Sequence, residues 1–379
     1  MKIKSWQFRP HNIIVFTYTI VFIFWAFPSF DYFRKGFDQP LSLLSLGGLG
    51  LIIAIITAWC TAYLAYNIGK NTAPIRPGGK LSINQALPNN SYFIFIILSS
   101  IGLLAVFYSL IKSGGSSFIM DSIQTGKANE LKKAMYEDYS IGVISLRYAS
   151  IMCGALLIAR RLSGLKNNLL DSAAVILVLC TALLSSRLTV SASIFGGLYL
   201  FIHFKKEIKI SSTYVFLSAL LIFLLFSALN WSRNYGFYER IGLGFISGGF
   251  SEMLAYLGTP FQGALYAISN IGSNFTTDQM FSATTIETAL TTNSAFLELT
   301  TENAWFGLLE LYCLIAASAF SIGFCETYKG GKYICCAVPL IYSFAELWRL
   351  SMFDKGLTIT VIILAFLVAQ LSQRRMIAK

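Results

Sequence analysis

Long apolar runs separated by short polar segments are the dominant pattern along this chain. A helix needs about 20 apolar residues to cross a bilayer, and the runs reach or approach that length repeatedly. We therefore predict ten transmembrane helices, at residues 13–30, 41–65, 92–111, 141–159, 169–186, 188–204, 213–230, 304–326, 333–351 and 357–372. The pattern is typical of an all-α polytopic membrane protein with a single transmembrane domain over residues 1–379.

The amino-acid composition agrees with this class. Of the 379 residues, 55% are hydrophobic and 12% are charged, and that charged share is about half of what a soluble domain carries. The cysteines fall within the predicted spans and lack the spacing of metal ligands, so we expect no disulfide framework, no metal and no cofactor. They are Cys60, Cys153, Cys180, Cys313, Cys325, Cys335 and Cys336.

The distribution of Lys and Arg predicts the orientation. With the N-terminus in the cytoplasm, ten crossings also place the C-terminus there. More than half of the 29 basic residues then lie on the cytoplasmic side, in segments 1–12, 66–91, 160–168, 205–212, 327–332 and 373–379. This agrees with the positive-inside bias. Because the basic residues are dispersed and form no stripe, the net charge of +11 does not indicate nucleic-acid binding.

The same topology leaves one long periplasmic loop, residues 231–303. Its stretch 241–268 is apolar with a single charge, Glu252. One crossing there would reverse all later basic segments, and its six glycines with Pro260 disfavour a straight helix. We expect this stretch to lie at the outer interface or to enter the membrane as a re-entrant hairpin. A double crossing would instead give twelve spans.

Several arginines fall on the outer side or in the outer leaflet, where the charge bias does not explain them: Arg34, Arg147, Arg187, Arg233, Arg240 and Arg349. A helix that began after Arg147 would be too short to span, so we expect Arg147 about 10 Å below the outer surface. A charge at that depth usually faces a partner or a wet cavity.

Structural interpretations exist for each of these arginines. Arg349 follows Glu346 by three residues, which favours an ion pair as much as a site role. Arg240 follows Glu239 and suits an interfacial anchor, and Arg34 beside Lys35 suits a lipid headgroup contact. For Arg147, Arg187 and Arg233 we favour function over contact with lipid phosphate.

Guanidinium groups at the outer leaflet suit a lipid-anchored diphosphate, because their planar fork of donors matches phosphate oxygens. After Arg240 the long loop carries no Lys or Arg, and its second half is rich in Asn, Thr, Ser and aromatic residues. Hydroxyls, amides and aromatic faces can hold a sugar, although a solvated loop has a similar composition.

In this setting the chain resembles the O-antigen polymerases of the Wzy type. The resemblance rests on a chain of ten to twelve spans, on Ser186–Arg187 at a tight outer hairpin, and on a long outer loop entered through Trp231–Gly236, which contains Arg233 and Tyr235. It implies a polysaccharide polymerase of the bacterial inner membrane. The implied partners are an undecaprenyl-diphosphate-linked oligosaccharide, membrane lipid and a chain-length regulator protein.

The resemblance also implies the chemistry. A sugar hydroxyl of the acceptor attacks the anomeric carbon of the donor and displaces the lipid diphosphate, whose charge arginines stabilise without a metal. Glu252 is our first choice for the carboxylate that takes the proton, ahead of Glu239 and Asp278. We assign catalysis to Glu252, Arg187 and Arg233, and substrate binding to Arg147, Arg240, Arg349, Tyr235 and Asp278.

Three alternatives stay open. O-antigen ligases resemble this architecture but typically rely on a histidine in the outer loop, whereas His11 and His203 both fall on the predicted cytoplasmic side. A flippase or other transporter would more often have short loops and charges at the bilayer midplane. A metal-dependent glycosyltransferase would use acidic residues of the first outer loop, where Asp31 and Asp38 lie.

Overall fold

The chain is almost entirely helical in the part that the structure, a computed structural model, describes. The described residues are 2–26, 43–75, 85, 88–124, 142–184, 188–205, 207–209, 211, 213, 216–217, 220–221, 223–224, 227–228, 231, 238–240, 242–273, 275–284 and 294–377. Their longer helices are α1 (Pro10–Ala26), α2 (Leu46–Thr72), α3 (Asn89–Gln124), α4 (Ala149–Leu162), α5 (Asn168–Leu184), α6 (Leu188–Lys205), α7 (Phe245–Ser269), α8 (Thr277–Thr284), α9 (Ala295–Thr327), α10 (Ile334–Glu346) and α11 (Gly356–Ile377).

Four of these helices have segments long and apolar enough to cross a membrane: Leu46–Thr72, Asn89–Lys112, Leu188–Lys205 and Asn303–Gly330. Four shorter helical segments are also apolar: Pro10–Ala26, Asn168–Leu184, Ile334–Glu346 and Gly356–Leu371. The class of membrane protein predicted from the sequence is thus supported. The count of ten spans and the location of the termini stay predictions. The described residues between 213 and 231 are helical, but the predicted span 213–230 lies only partly within the described residues.

Two short strands join the N-terminus to the segment after α6. Strand β1 (Lys2–Lys4) pairs antiparallel with β2 (Glu207–Lys209), with Lys4 opposite Glu207. A 3₁₀ turn, Ser5–Phe8, then leads into α1. Segments 1–12 and 205–212, which the positive-inside bias assigned to one side, therefore meet. We call this end of the helix bundle the strand end.

Two predicted spans are shorter in the structure than the apolar runs suggested. Helix α4 has 14 residues and is preceded by a 3₁₀ turn, Ile144–Tyr148, whereas α10 has 13 residues and ends at Glu346. A helix of 13 residues is about 20 Å long, less than the hydrocarbon thickness of a bilayer. Most side chains of both helices are buried, so they pack inside the bundle. An apolar run alone does not distinguish a lipid-facing helix from an enclosed one.

Helices α2 and α9 pack in backbone contact. A Cβ atom on Gly69 would lie 2.1 Å from the carbonyl oxygen of Phe320, and one on Gly323 would lie 2.2 Å from that of Tyr66. Small residues that let backbones approach are the usual means of association between helices in membranes. Gly69 and Gly323 therefore let the backbones of α2 and α9 come into direct contact.

Residues 245–269 form one continuous helix, α7, with Pro260 inside it. The glycines and Pro260, which we expected to disfavour a straight helix, lie within this helix, and the choice between an interfacial and a re-entrant arrangement stays a prediction. Tertiary packing overrides a weak helix propensity. The interfacial position of α7 stays a prediction.

Helix α7 contacts the ends of α1, α2 and α10 that lie away from the strand end. Gln262 accepts a hydrogen bond from Trp25 at 2.6 Å, Ser269 lies against Gly47, and the ring of Tyr256 meets that of Trp348. These contacts extend over 14 residues, about 20 Å of helix. Helix α7 therefore runs across this end of the bundle, which we call the α7 end.

Candidate functional site

The turn after α10 carries a mostly buried ion pair at the α7 end. The backbone N–H of Arg349 donates to the carbonyl of Glu346 at 2.8 Å. In the side chains, Nε of Arg349 donates to Oε2 of Glu346 at 2.9 Å, and Nη2 lies 2.7 Å from the same oxygen. The two side chains are 11% and 12% exposed. The ion pair expected from their spacing is present, and the hydroxyl of Tyr342 donates to the other carboxylate oxygen.

The guanidinium of Arg349 also contacts the long segment 231–303. Its Cζ lies 4.9 Å from the ring centroid of Tyr256, a residue of α7. A cation over an aromatic face at this distance is an attractive contact. Sequence reasoning did not single out Tyr256, because nothing in an apolar helix marks which aromatic ring meets a charge from a distant segment.

A second polar group lies where α9 begins. Helix α9 starts at Ala295, nine residues before the predicted span 304–326, and its regular geometry is interrupted at Ala304, with φ of 47°. Its first turn contains Glu298, which forms an ion pair with Lys355 and accepts from the backbone N–H of Ser351 at 3.0 Å. Burial lowers the pKa of Lys355, but Glu298 and Asp354 outweigh it and leave the pKa raised. This group ties α9 to the turn before α11.

Arg147 lies in the 3₁₀ turn before α4 and is fully buried. Its Nη1 donates to the carbonyl of Ile144 at 2.8 Å, its Nη2 lies 2.9 Å from the hydroxyl of Tyr148, and its Cζ lies 4.3 Å above the Tyr148 ring. These contacts are with neutral groups. The expected depth of Arg147 below the outer surface stays a prediction, whereas the assumed α-helix through Arg147 is wrong. A Cβ on Gly102 would meet the backbone nitrogen of Arg147 at 2.0 Å, so the turn packs directly on α3.

The other predicted site residues are exposed or undescribed. Arg240 is exposed, and so is Asp278 in the first turn of α8. Several predictions fall outside the described residues, namely those for Arg187, Arg233, Tyr235, Arg34, Asp31 and Asp38. The side chain of Glu252 is also undescribed. The predicted arginine cluster therefore depends on residues beyond the described part of the chain, and the choice of Glu252 as base stays a prediction.

The strand end holds a carboxylate that sequence reasoning passed over. Glu326 accepts hydrogen bonds from the hydroxyls of Tyr66 at 2.6 Å and Tyr199 at 2.9 Å. It borders a polar cavity of about 150 Å³ whose lining includes Arg9, Lys70 and His203. An acidic residue at the end of an apolar run was the available signal, because such a residue in a membrane helix is usually paired.

A further polar group at the strand end links α3, α4 and α5. The guanidinium of Arg161 lies 2.5 Å from a carboxylate oxygen of Asp171, and the hydroxyl of Tyr92 lies 3.3 Å from the other oxygen. Arg160 donates to the side chain of Asn89. Residues of the predicted cytoplasmic segments 66–91 and 160–168 therefore meet as well.

Among the described residues, no group of three His, Cys, Asp or Glu side chains is arranged to hold a metal ion. In comparisons with known proteins, no family model, curated protein or solved structure matches this chain. The function is therefore argued from the membrane class and from the polar groups at the two ends.

Proposed function

We propose that this protein joins oligosaccharide repeat units carried on undecaprenyl diphosphate into a polysaccharide, at the periplasmic face of a bacterial inner membrane. The observation that carries the proposal is the buried Arg349–Glu346 pair at the α7 end, contacted by Tyr256 of the long segment. A diphosphate on a membrane lipid needs fixed positive charge at the membrane surface, next to a segment that can hold sugars.

The reaction forms one glycosidic bond and breaks one bond to phosphate. A hydroxyl oxygen of the acceptor sugar bonds to the anomeric carbon of the donor, and the lipid diphosphate leaves with the bonding electron pair. The proton of the hydroxyl passes to a carboxylate, for which Glu252 on α7 is our choice. Arg349, with Arg187 and Arg233, stabilises the charge on the departing diphosphate.

Glu346 acts as a positioning residue in this proposal. It holds Arg349 through two guanidinium nitrogens on one oxygen, while Tyr342 donates to the other oxygen. A guanidinium oriented in advance loses less conformational freedom when a phosphate binds. The pair therefore suits both a stable turn and an anion-binding role.

The positions of the histidines favour a polymerase over a ligase. His11 is buried near the start of α1 against the rings of Trp59 and Tyr63, and His203 borders the polar cavity of the strand end. Both lie at the end opposite the Arg349–Glu346 pair. A ligase that uses a histidine beside the diphosphate would need one at the α7 end.

Deletion of the gene in its host, followed by electrophoresis of the surface glycan, tests the proposal. We expect the ladder of long chains to disappear while material with a single repeat unit persists, and the wild-type gene to restore the ladder. Loss of the single-repeat material too would indicate a ligase or a flippase and would overturn the polymerase.

A further inference from the structure

An apolar groove of about 480 Å³ opens between α9, α10 and α11. Its lining includes Ala317, Phe324, Cys336, Leu340 and Phe366. The volume falls within the range of about 300–1,000 Å³ that ligand pockets usually have. The groove is distinct from the Arg349–Glu346 pair, because its α9 residues lie towards the strand end.

The position of the groove indicates that hydrocarbon fills it. Its α9 lining runs from Ala317 to Cys325, about 12 Å along the axis, which is comparable with one leaflet of about 15 Å. These residues belong to Asn303–Gly330, one of the segments able to cross a membrane. An open apolar groove at this depth in a bilayer is covered by a lipid chain.

Aromatic rings mark the mouth of the groove. The ring of Tyr333, which lines the groove, lies 5.4 Å from that of Phe366 and 5.2 Å from that of Tyr328. Its hydroxyl accepts a hydrogen bond from Gln370 at 2.7 Å. Tyrosines with a buried ring and a bonded hydroxyl are typical of the boundary between hydrocarbon and headgroups.

Two lysine ammonium groups lie on these rings. The Nζ of Lys332 is 4.8 Å from the ring centroid of Tyr333, and that of Lys329 is 5.5 Å from that of Tyr328. The nearby carboxylate of Glu326 is bonded to Tyr66 and Tyr199 on α2 and α6. The two ammonium groups therefore give the mouth of the groove the positive charge that a phosphate requires.

The backbone at Lys329 is a second, independent observation. Lys329 has φ of 46°, a left-handed conformation that favours glycine, and its N–H donates to the carbonyl of Pro74 at 3.0 Å. Glycine, which adopts a left-handed conformation without strain, occupies positions 330 and 331, but position 329 is a lysine. Strained residues of this kind concentrate at ligand sites, which is consistent with a requirement for the ammonium group.

We propose that this groove binds one anionic phospholipid of the leaflet at the strand end. An acyl chain lies along α9 and α11, and the phosphate lies between Lys329 and Lys332. Basic groups at the cytoplasmic ends of membrane helices recognise anionic lipids in this way. The site goes beyond glycan transfer and does not depend on it.

Native mass spectrometry of the full-length protein in mild detergent tests the proposal, with phosphatidylglycerol and phosphatidylcholine of matched chains as probes. We expect one phosphatidylglycerol to bind at concentrations where phosphatidylcholine does not. Changing both Lys329→Gln and Lys332→Gln should weaken phosphatidylglycerol binding about 25-fold, or about fivefold for each lysine. Lys166→Gln removes an exposed lysine outside the groove and should change nothing.

The groove itself is tested by filling it. Ala317→Trp places a large ring among the lining residues and should abolish phosphatidylglycerol binding, whereas Leu309→Trp, at an exposed position elsewhere on α9, should not. Equal affinity of the wild type for the two lipids would overturn the proposal without any variant. So would undiminished phosphatidylglycerol binding by the double lysine variant or by Ala317→Trp.

Discussion

The two ends of the helix bundle use buried charge differently. At the strand end, Glu326 on α9 is bonded to tyrosines of α2 and α6, so one carboxylate joins three helices that are distant in sequence. At the α7 end, Arg349 and Glu346 lie in one turn, and the guanidinium meets α7 through the ring of Tyr256.

This difference predicts that the two ends respond differently to the loss of a side chain. Removing a partner of Glu326 leaves a buried polar group without a hydrogen bond, which lowers the free energy of unfolding. We therefore expect the helices of the strand end to stay firmly associated. The Arg349–Glu346 pair instead lies within one turn, and its guanidinium contacts α7 through an aromatic face. We therefore expect α7 to be less firmly held than the helices of the strand end.

The largest effect is expected at the strand end. Glu326→Ala leaves the hydroxyls of Tyr66 and Tyr199 without their acceptor and should lower the free energy of unfolding by about 3 kcal/mol. Glu310→Ala, an exposed carboxylate on the same helix, is the matched control and should be nearly neutral. Thermal unfolding of the purified protein in detergent measures both. Equal melting temperatures for the two variants would show that Glu326 does not stabilise the strand end.

The next effect concerns transfer at the α7 end. Loss of one donor to a developing negative charge typically costs about 10²–10³ in rate, so Arg349→Ala should reduce polymer formation by about that factor. Arg349→Lys should restore little of the rate, because lysine lacks the fork of donors. Initial rates of elongation with lipid-linked repeat units measure this, alongside melting temperatures. A wild-type rate in a folded Arg349→Ala protein would remove Arg349 from the site.

A smaller effect is expected for the contact between α7 and Arg349. Tyr256→Leu keeps an apolar side chain but removes the aromatic face, which should cost about 1 kcal/mol. Tyr108→Leu, at an exposed tyrosine on α3, provides a comparison. Hydrogen exchange of α7 is the measurement. Faster exchange confined to α7 in Tyr256→Leu would support a loosely held α7 end, and unchanged exchange would argue against it.

The smallest effect concerns Lys355, which is 38% exposed. Its pKa is raised by Glu298 and Asp354 against the effect of burial, so its ion pair stabilises the fold below the unfolded-state pKa. The contribution is lost as pH rises through the folded-state pKa. For so exposed a pair it should be about 0.5 kcal/mol. The stability difference between wild type and Lys355→Met should therefore shrink at alkaline pH. A difference that grows with pH would contradict this sign.

Much of the fold followed from local sequence patterns. Apolar runs marked α1, α5 and α6 with ends within four residues, and α2 and α11 with ends within seven, because the alternation of apolar and charged segments is a local property of the chain. The spacing of Glu346 and Arg349 likewise predicted their ion pair, since both atoms of the contact come from one turn.

Other features were decided only by tertiary structure. Whether an apolar run is enclosed, as α4 and α10 are, depends on neighbours from elsewhere in the chain. Packing between segments far apart in sequence also decides three other features. These are the helix through Pro260, the 3₁₀ turn at Arg147 and the hydrogen bonds from two tyrosine hydroxyls to Glu326. A sequence pattern reports what each segment would bury, whereas the partners that make burial favourable exist only when the helices have assembled.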